Sequence, residues 1–331
     1  MITGTIYIRR LLAYALSLSL LVSCSKGVGS ELPQEPEGAV FTIMPQIAAG
    51  YGNIPATYSS DQGGIFCVSA ADYKLRYILE VWSGDGRRKE YRQAEVKEIG
   101  ETGPEFSPRL LSGRYKMVLW ADFVAAQSVT PDMPAGANLF YNADNLDAVA
   151  FLKADCNDDA KDAYTAVFDA DLTEGGLNVT VTLKRPLAKV RLVATDADRA
   201  NGGVGLDGCT ANLVFSNYTA QVYNALDGSV AFSGAPVSND RYFPVGSDYG
   251  SAYGTPDAGN HSRTLAWDYL FVPAGGLTTD ITVRLQTGSG GEIALPAAAS
   301  KTIRDITFRP NLLITAAGRF FTTAAAEDVN H

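Results

Sequence analysis

Histidine is nearly missing from this chain, with only His261 and His331 among 331 residues. A Ser-His-Asp hydrolase would have one internal base to draw on, and no GxSxG nucleophile elbow accompanies it. Cysteine is also sparse. Cys24, Cys67, Cys156 and Cys209 are far apart and have no histidine partners at ligand spacing, so Cys/His metal centres are excluded. Positive charge is in the minority, 27 Lys and Arg against 36 Asp and Glu, for a net charge of −9 and a pI near 4.8. That is not the footprint of a nucleic-acid binder. The glycines Gly202, Gly203 and Gly205 are not followed by the Lys-Ser/Thr of a P-loop. Finally, no long segment carries an apolar period of 3.6, which argues against a helical protein.

What is present suits strands and turns. Hydrophobic residues make up 46% and charged residues 19%, enough for ordinary cores and too little charge for disorder. The 32 glycines, with abundant Tyr, Thr and Val, point to an all-β chain. Its length suits two domains at about 100 to 200 residues each.

The first 23 residues read as a secretory signal. Arg9 and Arg10 precede an apolar run, Leu11 to Val22, shorter than the ~20 residues needed to span a bilayer. The run ends in Leu21-Val22-Ser23-Cys24, which matches a lipobox, and Leu21 would be a poor −3 residue for ordinary cleavage. Cys24 is therefore the expected lipidation site. Residues 24–38, rich in Gly, Pro and Glu, form the expected tether.

Two β domains are expected, 39–185 and 186–331, divided where Lys184-Arg185-Pro186 interrupts strand-like residues on either side, because a central strand does not accept proline. In the first, strands are predicted at Val40–Ile47, Lys74–Trp82, Arg88–Ile99, Gly113–Val124, Ala163–Leu172 and Leu177–Leu183, with a turn at Glu174-Gly175-Gly176 and a long loop over Thr130–Asn145. In the second they fall at Lys189–Thr195, Thr210–Phe215, Gln221–Asn224, Leu265–Val272, Ile281–Gln286 and Ile303–Phe308, with a tip at Gly288–Gly291.

Several clusters were weighed as sites. Asp155, Asp158, Asp159 and Asp162 offer the oxygens that calcium prefers, but without EF-hand spacing, so a solvated charged turn is the simpler expectation. Asp196 to Asp207 resembles a calcium loop with one residue too many, and an Asn-Gly turn explains it as well. Trp82, Trp120 and Trp267 lie in predicted strands and are assigned to the core. The loop Gly246–Arg263, with Tyr249, Tyr253 and His261, is the candidate contact surface for a glycan or peptide. Nothing selects a pair of carboxylates for glycosidase chemistry. With Cys24 lipidated, three cysteines remain; a Cys67–Cys156 bond and buried free thiols are the alternatives.

Taken together, the lipobox, the two β halves, Lys74–Trp82, Trp120-Ala121-Asp122, the segment Leu183–Val190 and the ending Ile306–Thr322 resemble the fimbrillin-like lipoproteins of gut and oral Gram-negative bacteria. The resemblance implies two transthyretin-like, Greek-key β-sandwiches and, in many relatives, assembly into fimbriae by donor-strand exchange. In that family, shaft subunits are usually released from lipid by an arginine-specific protease that also removes the first strand. Here no arginine lies between Cys24 and Ile47, and the first one after the lipobox is Arg76. The departure favours a protein that keeps its lipid.

The expectation is a non-enzymatic, surface-exposed outer-membrane lipoprotein acting in adhesion or in fimbrial anchoring and assembly. Its partners would be fimbrial subunits or host surface molecules, with no cofactor, catalytic residue or metal. The alternative is a stand-alone envelope protein that captures a glycan or peptide.

Overall fold

The runs richest in β-branched and aromatic residues become the central strands. The structure is a computed structural model that describes residues 39–48, 50, 68–153, 155–172, 176–197, 206, 208–215, 220–232, 243–244, 263–293, 301–322 and 329–330. In chain order its strands are β1 (Ala39–Val40), β2 (Thr42–Ile47), β3 (Tyr73–Ser83), β4 (Lys89–Lys97), β5 (Arg109–Leu110), β6 (Arg114–Ala125), β7 (Tyr141–Asn142), β8 (Val149–Phe151), β9 (Ala163–Asp171) and β10 (Asn178–Leu183). They continue as β11 (Leu187–Ala194), β12 (Thr210–Phe215), β13 (Ala220–Tyr223), β14 (Val230–Phe232), β15 (Phe243–Pro244), β16 (Arg263–Phe271), β17 (Leu277–Gln286), β18 (Lys301–Phe308), β19 (Leu313–Gly318) and β20 (Val329–Asn330). Among the described residues the helical elements are two 3-10 turns, Ala126–Ser128 and Asp159–Lys161, and no helix is long and apolar enough to cross a membrane. The chain is all-β, as its composition predicts.

The strands form four four-stranded sheets and two pairs. The first sheet, in the order β4-β3-β6-β9, is antiparallel throughout. Its inner strands β3 and β6 are buried on both faces over most of their length. Polar residues therefore enter the interior and must be paired there. Arg76 and Asp122 are direct cross-strand partners and form a two-pronged ion pair at 2.8 and 2.6 Å. Four residues after Arg76, the carboxylate of buried Glu80 receives Lys89, Arg92, the Trp82 indole and the Leu146 amide.

Two further sheets, β16-β11-β19-β20 and β15-β12-β17-β18, lie wholly after residue 186. Within the former, β11 is antiparallel to β16 and parallel to β19, so a crossover connects them. The remaining sheet, β14-β13-β8-β7, takes two strands from before residue 186 and two from after it. Pro186 sits between β10 and β11, outside both ladders, where its missing N–H costs nothing. The aromatic rings of Trp120, Tyr141, Phe151, Tyr223 and Phe271 meet in one cluster with centroids 4.6 to 6.4 Å apart, which again draws on both halves. Trp82, Trp120 and Trp267 are all core residues.

The sequence reading missed some short strands. The predicted loop over Thr130–Asn145 contains β7, and its Phe140, Tyr141 and Ala143 are buried. Turn residues around them masked a segment too short to show a period. The Glu174-Gly175-Gly176 turn lies mostly outside the described residues, and the Gly288–Gly291 tip is closed by reciprocal bonds between Thr287 and Gly290 or Gly291.

Two outcomes are expected. Asp122→Ala leaves the Arg76 guanidinium buried and alone, so denaturant titration should show a loss of about 3–5 kcal/mol, while replacing both residues by leucine should cost far less. Burial pushes the phenols of Tyr77 and Tyr223 from 10.0 up to about 12. A raised folded-state value stabilises below the unfolded value, so stability should hold up to about pH 10 and fall as pH rises through about 12. A Tyr77→Phe, Tyr223→Phe variant should show a shallower alkaline fall in thermal midpoint than the parent protein.

Candidate functional site

The strand β2, near the start of the described residues, is the candidate site, because it completes a structure built by residues much further along the chain. β2 alternates cleanly: Ile43 and Pro45 point inward, Met44 and Gln46 outward. Just before it, Phe41 also enters the core; Phe41 and Ile43 are 2% and 0% exposed. One edge of β2 runs parallel to β10, from Asn178 opposite Thr42 to Leu183 opposite Ile47. The other edge is held by a single antiparallel bridge, with Ile43 N–H donating to Phe106 at 2.9 Å and Phe106 N–H returning at 3.0 Å. Ahead of it, β1 pairs with β5.

Backbone N–H groups alternate between the two edges of a strand. Thr42 donates to Leu177 on the β10 side and Ile43 to Phe106 on the far side. Pro45, two residues after Ile43, therefore lacks its N–H on the edge away from β10, and the ladder loses no bond. Gly103 packs directly on this edge. A Cβ there would lie 2.3 Å from the Pro45 carbonyl oxygen, so only glycine lets the two segments approach. The result is a slot between β10 and residues 103–110 that the N-terminal strand fills with its own alternate side chains.

A second constellation surrounds the acidic stretch 155–162. The expected solvated turn is corrected: Lys161 and Asp162 are buried, and Asp158, Asp159 and Asp162 each have their own partner. Asp158 caps the 3-10 turn through Ala160 N–H at 2.9 Å, and burial raises its carboxyl above the usual value. Asp159 takes Lys189 at 2.6 Å and the Tyr269 hydroxyl at 2.9 Å. Asp162 takes Arg185 at 2.7 Å and the Tyr164 hydroxyl at 2.7 Å. Lys161 pairs with buried Asp268. Cations thus divide the cluster among separate sites rather than leaving its oxygens to converge on one ion. Asn157, at φ 60°, exchanges two bonds with the backbone of Trp267, so the segment docks on the outer edge of β16. Arg185, at the expected domain boundary, is buried between Asp162, the Gly50 carbonyl and the Tyr164 ring.

The other sequence candidates separate in the same way. Asp196 spends both oxygens on the Phe320 and Phe321 amides and the Thr322 hydroxyl, tying the end of β11 to the turn after β19; most of the remaining predicted calcium loop lies outside the described residues. Cys156 is a free, buried thiol, and Cys209 is buried as well. Cys24, Cys67, Tyr249, Tyr253 and His261 lie outside the described residues. The β2 slot was not visible in the sequence beyond the alternation of Phe41, Ile43 and Pro45, because its walls come from residues 60 to 140 positions away.

These features define an all-β protein whose N-terminal strand completes a core formed by the rest of the chain. The chain belongs to a family of unknown function, DUF6562, whose model matches residues 38–331. Solved structures similar to it include the fimbrial anchor protein Mfa2 from Porphyromonas gingivalis, at 13% identity and TM-score 0.43 over 84% of this chain and 90% of that one. The tip fimbrial protein Mfa3 from the same organism is 12% identical, with TM-score 0.43 over 86% and 96%. A fimbrial assembly protein from Parabacteroides distasonis is 13% identical, with TM-score 0.40 over 86% and 93%. No curated protein sequence matches the chain.

Gly103→Ala should push β2 out of its slot without touching the β3–β6 core. Hydrogen exchange should then show faster exchange at Thr42, Ile43 and Phe106 with unchanged protection of Ile78 and Val118.

Proposed function

We propose that this protein is a lipid-anchored component of the bacterial surface that acts in adhesion or in anchoring and assembling a fimbria by strand complementation. The observation that carries the reading is the β2 slot. An edge strand held by one ladder and one bridge, with alternate side chains sunk into the core, is the kind of element another strand replaces: the incoming backbone satisfies the same groups and its side chains fill the same pockets. Its position supports the reading further. β2 follows directly on the expected tether from Cys24, and no arginine interrupts the interval between them. A chain that keeps β2 keeps its slot closed and its lipid attached, which suits the membrane foot of a fibre or a stand-alone adhesin better than a repeating shaft subunit. The outer-membrane location and the lipid on Cys24 belong to this proposal, as do fimbrial subunits or host surface molecules as partners. It assigns the chain no catalytic residue and no cofactor.

Unheated detergent gels of outer-membrane fractions, blotted for this protein beside boiled samples, test the reading. Strand joints bury a whole strand and open slowly, so a high-mass ladder that collapses on boiling is expected. Ile43→Asp, which puts a charge into the slot, should change the ladder while leaving total protein in the membrane fraction. A single band near the monomer in both lanes would remove strand complementation and leave capture of a glycan or peptide as the reading to pursue.

A further inference from the structure

The Lys161–Asp268 pair differs from the other lysine–carboxylate pairs among the described residues. Lys74–Glu98, Lys89–Glu80 and Lys116–Asp169 each keep at least one side chain partly in water, and Lys189 shares the Asp159 carboxylate with the Tyr269 hydroxyl. For Lys161 and Asp268 the side chains are only 3% and 8% exposed. The Lys161 amine contacts Asp268 Oδ1, donates to the Asp155 carbonyl at 2.9 Å and lies 5.2 Å from the centre of the Phe151 ring. Asp268 Oδ1 also accepts the Tyr269 amide at 2.7 Å, which fixes the carboxyl against the amine.

Charges of opposite sign in such a place pay a large desolvation cost, which only their close approach and the surrounding hydrogen bonds offset. Burial is the main cause that pushes the Asp268 carboxyl above its ordinary value, and the Asp155 charge adds to it. A primary amine held against a carboxyl and shielded from water has the composition and geometry of an amide-forming pair.

We propose that Lys161 and Asp268 condense into an intramolecular isopeptide bond. The ammonium passes one proton to the carboxylate, and the Nζ lone pair then attacks Cγ of Asp268. As the C–N bond forms, a second proton moves from nitrogen to the departing oxygen, the C–O bond breaks, and one water leaves. Nothing is oxidised or reduced, and no co-reactant is required. The product joins the segment 155–162 to β16 across a sequence separation of 107 residues. Under tension the intervening chain would then be bypassed by a covalent link, whether or not the protein takes part in a fibre.

Tryptic digestion of the denatured full-length protein, followed by tandem mass spectrometry, tests the bond. Trypsin cannot cut after a linked Lys161, so a branched species is expected. It joins residues 154–184 to residues 264–284 and is one water lighter than their sum. Lys161→Arg should release Thr264–Arg284 as a linear peptide. If that variant does not fold, the digest of the unaltered protein still decides. Complete cleavage after Lys161 with both peptides linear would overturn the proposal. So would a one-water loss found only at Asp85-Gly86, Asp207-Gly208 or Asp227-Gly228, which are the places where a succinimide would form instead.

Discussion

The structure depends on charge being buried in pairs. Arg76–Asp122 and the Glu80 cluster lie inside the first sheet; Arg185–Asp162, Lys161–Asp268 and Lys189–Asp159 tie the segment 155–162 to residues 23 to 107 positions further along the chain. Each pair stabilises only while both members are present, because a lone buried ion costs several kcal/mol. Such pairs therefore specify geometry more than they add stability. A shift of one residue in the β3–β6 register would separate Arg76 from Asp122 and leave two uncompensated charges.

The segment 155–162 shows the same logic at a joint. Its aspartates and lysine reach β11 and β16, its asparagine adopts a left-handed conformation to bond the edge of β16, and Arg185 closes the other side on Asp162. The aromatic cluster around Trp120 and Phe271 lies in the same core, and the sheet containing β8 and β13 is shared by the two halves of the chain. Directional contacts of this kind oppose sliding of one half over the other. The β2 slot contrasts with it, being held mainly by backbone bonds and apolar side chains. A firmly keyed body beside one such strand is what the proposed strand complementation would require.

Much of this was legible in the chain. The long strands were, because Lys74–Trp82, Gly113–Val124 and Leu265–Val272 are dense in β-branched and aromatic residues, and their bounds fell within a few residues of β3, β6 and β16. The core role of the three tryptophans followed from the same runs. Short strands such as β7 and β8 were not legible, since two or three residues show no period. The acidic stretch misled for a different reason: four aspartates within eight residues look solvated unless the cations that bury them are known, and Lys189, Arg185 and Tyr269 are distant in sequence.

The sequence by itself determined the all-β class and the positions of the main strands. Those are properties of composition, periodicity and local motifs, which act over a few residues. Only the tertiary structure decided which charges pair, which glycine must remain small, and which walls enclose the first strand. Partners at Phe106 and β10, or at Asp162 and Arg185, are chosen by sheet pairing between remote segments, and no local pattern in either segment names the other.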